Sequence, residues 1–316
     1  MAVARTMARL EGAYSVVALA EGKLIGFRDP HGIRPLSLGR LGSDWVLASE
    51  TCALDLIGAR YERDVRPGEF VIVDEDGLHA SQALPEGRQA LCIFEHVYFA
   101  RPDSTLAGSE VHGVRVRMGE RLATEAPVAA DLVMPIPDSG TPAAVGYSRA
   151  SGVPYSEGLI KNRYVGRTFI EPDQRMREQG IKLKFNPLAE VAGKRLVIVD
   201  DSIVRGSTMR QLVAMLFDAG AAEVHVRVSS PPIVSPCFYG IDMADEGELA
   251  AAHRSVEEMR ELIGATSLHY LSLDGMQAAT RLPEASVCRA CFTRDYPTRV
   301  PEERDLAKLR FEPART

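Results

Sequence analysis

With 316 residues, 46% of them hydrophobic, the chain is long enough to bury two ordinary domain cores and is not a disordered tail. A net charge of −6 and a pI near 5.7 argue against a nucleic-acid partner, because that affinity rests on clustered Lys and Arg. No N-terminal apolar run reads as a secretion signal and no later one is long enough to span a bilayer, so a cytoplasmic protein with no membrane partner is expected.

From Gly12 to about Arg88, short alternating runs are punctuated by Gly and Pro: Ala13–Leu19, Lys23–Phe27, Trp45–Ala48 and Glu69–Val73. This pattern predicts mostly antiparallel sheet. After Pro102 the rhythm lengthens into periodic segments separated by compact apolar runs, as in an α/β domain with a parallel sheet. The predicted boundary lies near residue 90, dividing the chain into 1–90 and 91–316.

Leu132-Val133-Met134 reads as a strand running into Pro135-Ile136-Pro137-Asp138-Ser139-Gly140-Thr141-Pro142 and a helix through Ala143, Ala144 and Val145. Such a turn puts helix N–H groups where a diphosphate can bind, although an ordinary capped connection has the same look. Next comes a long polar stretch from Lys161 to Asn186, with Arg175, Arg177, Lys182 and Lys184, which reads as a lid over an anionic substrate or as a solvated charge run.

Leu196–Val199 is an unbroken apolar run, the mark of a strand covered on both faces. Met209, Leu212, Val213 and Leu216 then recur at helical spacing, Gly220 stops the helix, and Val224, Val226 and Val228 alternate as the next strand. Inside this βαβ unit lies Asp200-Asp201-Ser202-Ile203-Val204-Arg205-Gly206-Ser207-Thr208, at a strand's carboxyl end and a helix start. Gly206 permits close backbone approach and Ser207 and Thr208 add hydroxyls, which suits a phosphomonoester. Two carboxylates facing a phosphate would repel it, so Asp200 and Asp201 are expected to hold sugar hydroxyls and Mg²⁺; a capped helix with an acidic turn is the alternative.

Five cysteines in a chain too large to need disulfide staples leave reduced thiols or metal ligands. Cys288-Arg289-Ala290-Cys291 is a close pair, Cys92 and Cys237 lie far off, and Cys52 reads as a buried thiol.

The segment 197–208 resembles the phosphoribosyl pyrophosphate signature of type I phosphoribosyltransferases. Its Ser-Ile-Val-Arg-Gly form resembles the amidophosphoribosyltransferase family in particular. Arg28–Leu36, Ser49-Glu50-Thr51-Cys52 and Val97–Ser104 carry that similarity through nearly the whole chain, to Tyr296-Pro297-Thr298.

The resemblance implies a type I phosphoribosyltransferase domain preceded by part of an N-terminal-nucleophile glutaminase domain. It implies formation of 5-phosphoribosylamine and pyrophosphate from phosphoribosyl pyrophosphate and ammonia, the first step of purine biosynthesis. Asp138, Ser139, Gly140 and Thr141 become the pyrophosphate loop, and residues 200–208 the phosphoribosyl loop, with Mg²⁺ at Asp200 and Asp201. Some relatives carry a hydroxyl residue where Gly140 stands, so a side-chain contact to Mg²⁺ there is not carried over. Lys161, Tyr164 and Arg167 fall in the family's flexible catalytic loop. Cys92, Cys237, Cys288 and Cys291 match the branch in which four cysteines hold a 4Fe–4S cluster, with zinc as the chemical runner-up. A homotetramer inhibited by purine nucleotides is also implied.

The Met-Cys-Gly opening that supplies the glutaminase nucleophile in the family is not found, so no such nucleophile is assigned and glutamine use by this chain alone is not expected. A truncated gene model, a separate N-terminal glutaminase piece or a decayed domain would each account for this, and half of a layered sheet domain would expose strand edges. Arg34 is expected to be structural. The rival functional readings are a non-catalytic phosphoribosyl or nucleotide sensor and a salvage transferase for a nucleobase.

Overall fold

The computed structural model describes residues 2–162, 164, 183–243 and 246–300. They form two compact units. The first holds the chain up to Val111, Ser235–Glu246 and the described residues from Arg281 onward; the second holds His112–Val234 and Gly247–Thr280. The division thus falls some way past residue 90, and two later stretches rejoin the first unit. Local rhythm cannot reveal this, because the link is made by residues remote in sequence: β8 (Leu91–Cys92) pairs in parallel with β17 (Val287–Cys288).

In the first unit an antiparallel sheet of β1 (Ser15–Ala20), β2 (Lys23–Arg28), β6 (Glu69–Asp74) and β7 (Gly77–Gln82) runs in the order β1-β2-β6-β7. A three-stranded sheet joins β3 (Ser37–Leu41), β4 (Asp44–Ala48) and β5 (Arg60–Asp64) in the order β4-β3-β5. Alternation gives the first sheet two apolar faces. On one, Met7 of the helix Ala2–Met7 packs with Phe27 and Phe70; on the other, Val71 packs with Leu36 and Val65. Strand β1 lies at the sheet edge, and its Val17 and Leu19 are 47% and 83% exposed. A short hairpin, β9 (Thr105–Leu106) with β10 (Ser109–Glu110), ends the stretch.

The second unit is built on a parallel sheet in the order β11 (Leu132–Pro135), β14 (Arg195–Asp200), β15 (Glu223–Val228) and β16 (Ser267–Tyr270). Leu196, Val197, Ile198 and Val199 are wholly buried, as an unbroken apolar strand requires. Met209, Leu212, Val213 and Leu216 of the helix Ser207–Asp218 fill the core beside them. The helices Val111–Glu125 and Thr141–Ser151 meet backbone to backbone: a Cβ on Gly119 would lie 1.9 Å from the Ala143 oxygen, and one on Gly146 would lie 2.0 Å from the Val116 oxygen. A two-stranded ribbon, β12 (Leu159–Lys161) with β13 (Phe185–Pro187), brackets the basic stretch read as a lid. Arg167, Arg175, Arg177 and Lys182 lie outside the described residues.

No helix among the described residues is long and apolar enough to cross a membrane.

Candidate functional site

Strands β11 and β14 are neighbours, so the two turns read from the sequence as anion sites leave adjacent strand tips. The first turn is pinned to the second strand: the N–H of Ile136 donates to the Val199 oxygen at 2.8 Å, and the N–H of Gly140 donates to the Ile136 oxygen at 3.1 Å. A side chain at position 140 has no room, because its Cβ would stand 2.3 Å from the Val199 oxygen. The Pro137–Asp138 peptide bond is cis.

In the second turn Gly206 takes φ +76°, a left-handed conformation that glycine adopts without a Cβ penalty, and the helix Ser207–Asp218 starts with no side-chain cap. Its first N–H groups therefore face the turn as an anion site would require. Ile203 is buried in the core, so it can offer a ligand only its backbone. Arg205 forms an ion pair with Glu248. Ser207 and Thr208 are exposed at the helix start.

The turns meet at Asp201, which is 5% exposed. The Ser139 side chain of the first turn lies close enough to the Asp201 carboxylate to oppose the upward effect of burial on it. Ser202 donates to the same carboxylate at 2.6 Å, and the N–H of Asp201 donates to Asp200 Oδ1 at 2.9 Å. Burial, and then the neighbouring Asp201 charge, hold Asp200 well above the usual carboxylate range. Burial also raises Asp201, against the opposing effect of Ser139, Ser202 and the Arg115 cation. A cation held between the two carboxylates would lower both.

Arg115, 3% exposed on the helix Val111–Glu125, was not singled out from the sequence. Its signal is its position, four residues after Val111 and within the apolar face that Val111, Val114, Met118 and Leu122 make at helical spacing. A cation on a core-facing stripe calls for a buried anion.

Of the three residues assigned to the catalytic loop, Lys161 reaches the first turn, where its ammonium pairs with Asp138. Tyr164 is fully exposed, and its N–H donates to Asn162 Oδ1 at 3.0 Å. Arg167 is outside the described residues.

In the first unit Cys92, Cys237, Cys288 and Cys291 line one pocket, with Phe94, Ile241 and Met243 among its apolar walls. Cys92 and Cys288 are register partners across β8 and β17. The N–H of Tyr239 donates to Cys237 Sγ at 3.4 Å. Burial pushes the Cys288 thiol up to about 11, and burial likewise raises Cys92 and Cys291. Among the described residues no group of three or more His, Cys, Asp or Glu is arranged to hold a single metal ion. Cys52 is buried elsewhere in the unit, at 4% exposure. Arg34 pairs with Glu95 at 2.6 Å.

A family model described as the phosphoribosyl transferase domain matches residues 113–230. The amidophosphoribosyltransferase of Mycobacterium tuberculosis is 54% identical over 308 residues, 95% of this chain and 58% of that protein. The amidophosphoribosyltransferase of Synechococcus elongatus is 54% identical over 309 residues, 96% of this chain and 63% of that protein. Among solved structures, the glutamine phosphoribosylpyrophosphate amidotransferase from B. subtilis, complexed with ADP and GMP, superposes with a TM-score of 0.89 at 47% identity. It covers 95% of this chain and 67% of its own. The chain thus spans about three fifths of the length of these curated relatives.

Proposed function

The chain belongs to the amidophosphoribosyltransferase family, and from that premise we propose that it aminates C1 of phosphoribosyl pyrophosphate to give 5-phosphoribosylamine and pyrophosphate, the opening step of purine biosynthesis. The observation that carries this reading is that the two turns leave the adjacent tips of β11 and β14, joined by the Ile136 N–H donating to the Val199 oxygen at 2.8 Å, with Ser139 near the buried Asp201 carboxylate. Residues 202–208 hold the 5-phosphate, Asp200 and Asp201 the ribose hydroxyls, and residues 138–141 the pyrophosphate. Ammonia attacks C1 as the C1–O bond to pyrophosphate breaks, its electron pair leaving on that oxygen, and the aminated product then sheds a proton. Catalysis consists of alignment and of charge stabilisation around a departing anion.

Lys161 is suited to follow that anion, exchanging Asp138 for pyrophosphate oxygens as they arrive. The stretch read as a lid, with Tyr164 and Arg167, excludes water that would compete with ammonia. The two adjacent carboxylates fit Mg²⁺, which is often held by one or two carboxylates with substrate oxygens completing its shell; bound there, it would neutralise pyrophosphate charge. Four thiols on one apolar pocket, with an N–H donated to one sulfur, fit a 4Fe–4S cluster in a structural role; zinc, the chemical runner-up, is disfavoured because among the described residues no three ligating side chains converge on a single ion.

The first unit is read as part of the glutaminase domain. Purine nucleotides as inhibitors, a homotetramer and a cytoplasmic setting complete the proposal, the B. subtilis relative being the one complexed with ADP and GMP.

Pyrophosphate release from phosphoribosyl pyrophosphate, Mg²⁺ and ammonium at alkaline pH tests the reading. Ammonium-dependent release is expected, with Asp201→Asn reducing it by roughly 10- to 100-fold. No release would point to a sensor, and release that depends on an added nucleobase would point to a salvage transferase.

A further inference from the structure

Arg34 spends its guanidinium on the segments that carry the thiols. Its Nε donates to the Tyr239 oxygen at 3.0 Å, and its Nη1 meets the Glu95 carboxylate at 2.6 Å. Its Nη2 lies 3.5 Å from where a Cβ on Gly240 would stand, and its charge rests 4.9 Å from the centre of the Phe99 ring. Tyr239 and Gly240 follow Cys237 closely in sequence, and Glu95 follows Cys92. Both anchors therefore seat the cation against loops that carry two of the four cysteines.

The pair is nearly dry, with the Arg34 and Glu95 side chains 14% and 2% exposed. Desolvating two charges is costly, and a buried ion pair often contributes no more stability than apolar residues of similar volume, so stability alone is a weak reason for this one. Of the two partners it is the guanidinium that is bonded to the Cys237 segment, through the Tyr239 oxygen, while it also holds Glu95 beyond Cys92, so the cation lies between the two thiol-bearing segments.

We propose that Arg34 governs the redox stability of the iron–sulfur group bound by Cys92, Cys237, Cys288 and Cys291, its cation offsetting the negative charge that thiolates and cluster bring into an apolar pocket. The inference rests on the four-thiol reading above. Net charge and solvent exclusion set the potential of such clusters, and a charge in a dry pocket acts with little screening. Removing the cation disfavours the more reduced, more negative form and eases electron loss to oxygen. Removing the Glu95 carboxylate does the reverse.

Anaerobically purified wild-type, Arg34→Met, Arg34→Lys and Glu95→Gln proteins are compared by iron and sulfide content, by cluster midpoint potential and by the half-time of bleaching in air-saturated buffer. Arg34→Met is expected to lower the potential and shorten the half-time several-fold. Arg34→Lys restores most of both, and Glu95→Gln moves both in the opposite direction. A pair that acts by packing alone would instead make both charge-removing variants bleach faster. Unchanged potential and bleaching in Arg34→Met, with the cluster present, overturn the inference. Wild-type protein without iron overturns the four-thiol reading beneath it. If Arg34→Met does not fold, Glu95→Gln decides: a lowered or unchanged potential overturns the proposal.

Discussion

The contact between the two turns can be tested by a double-mutant cycle on Ser139 and Asp201. Ser139→Ala deletes a hydroxyl lying near a carboxylate that is 5% exposed. A hydrogen bond to a charged group contributes about 1.5–3 kcal/mol, and the lower end is the upper bound for Ser139, whose hydroxyl must close onto Asp201 in the working site while other donors to Asp201 remain. Those donors include Ser202 at 2.6 Å, with the Arg115 cation nearby. A loss of about 1.5 kcal/mol is about tenfold in kcat/KM for phosphoribosyl pyrophosphate. Asp201→Asn keeps an acceptor but removes the charge, and a charge-assisted bond is about twice as strong as a neutral one. The double variant should therefore lose less than the sum of the singles by about 1 kcal/mol, roughly fivefold. Ser139→Thr keeps the hydroxyl and should stay near wild type. The assay is pyrophosphate release with ammonium and Mg²⁺, with calorimetric affinity for phosphoribosyl pyrophosphate as the second readout. Additivity of the two losses within about 0.5 kcal/mol would refute the coupling of the two turns.

Asp138→Asn releases Lys161 from its ion pair; because Asp138 is 78% exposed the pair contributes under about 1 kcal/mol, so thermal stability should hold while KM for phosphoribosyl pyrophosphate changes by no more than a few-fold. Lys161→Met should raise KM and lower kcat together, which steady-state kinetics would detect. Gly119→Ala drives a Cβ to within 1.9 Å of the Ala143 oxygen, and such overpacking should cost about 1–3 kcal/mol or more, read as a drop in Tm. Asp131, hydrogen-bonded to Arg195 beside β14, is held below the usual carboxylate range by that guanidinium. Its folded state binds protons more weakly than its unfolded state, so its contribution is complete above about pH 4 and disappears as pH falls through the lower folded value. Asp131→Asn should lower Tm at neutral pH, and calorimetry should find that gap closing in acid.

How much was legible depends on whether the information is local. Leu196–Val199 announced a doubly covered strand because burial on both faces forbids polar residues there, and all four are wholly buried. The turn at 200–208 was legible as a strand-to-helix connection for a similar reason, since the apolar run stops at Asp200 and helical spacing begins after Gly206. Strands Ser37–Leu41, Arg60–Asp64 and Gly77–Gln82 were not singled out; arginine, glutamate and glutamine interrupt the apolar alternation that marks a strand. Nonlocal partners were beyond reach as well. Lys161 meeting Asp138, Ser139 meeting Asp201 and Arg115 lying beside that carboxylate all depend on which strands become neighbours, and periodicity does not encode sheet order.

The path of the chain gives the four cysteines a meaning that their spacing hides. The chain leaves the first unit after Val111, returns for Ser235–Glu246 and returns again at Arg281. Cys92 precedes the departure, Cys237 lies in the first return, and Cys288 and Cys291 lie in the second. Backbone pairing already joins the outer segments, but through a ladder of two residues on each strand, too short to hold long excursions by itself. A group bound by all four thiols would clamp all three segments. Closing a long loop acts mainly by removing freedom from the unfolded chain, and a single covalent link over such a span contributes about 3–5 kcal/mol. Cysteines that look isolated along the sequence thus stand where the chain re-enters one body. That arrangement favours a structural clamp over a reacting centre, because its benefit comes from joining segments and requires no substrate to reach the sulfurs.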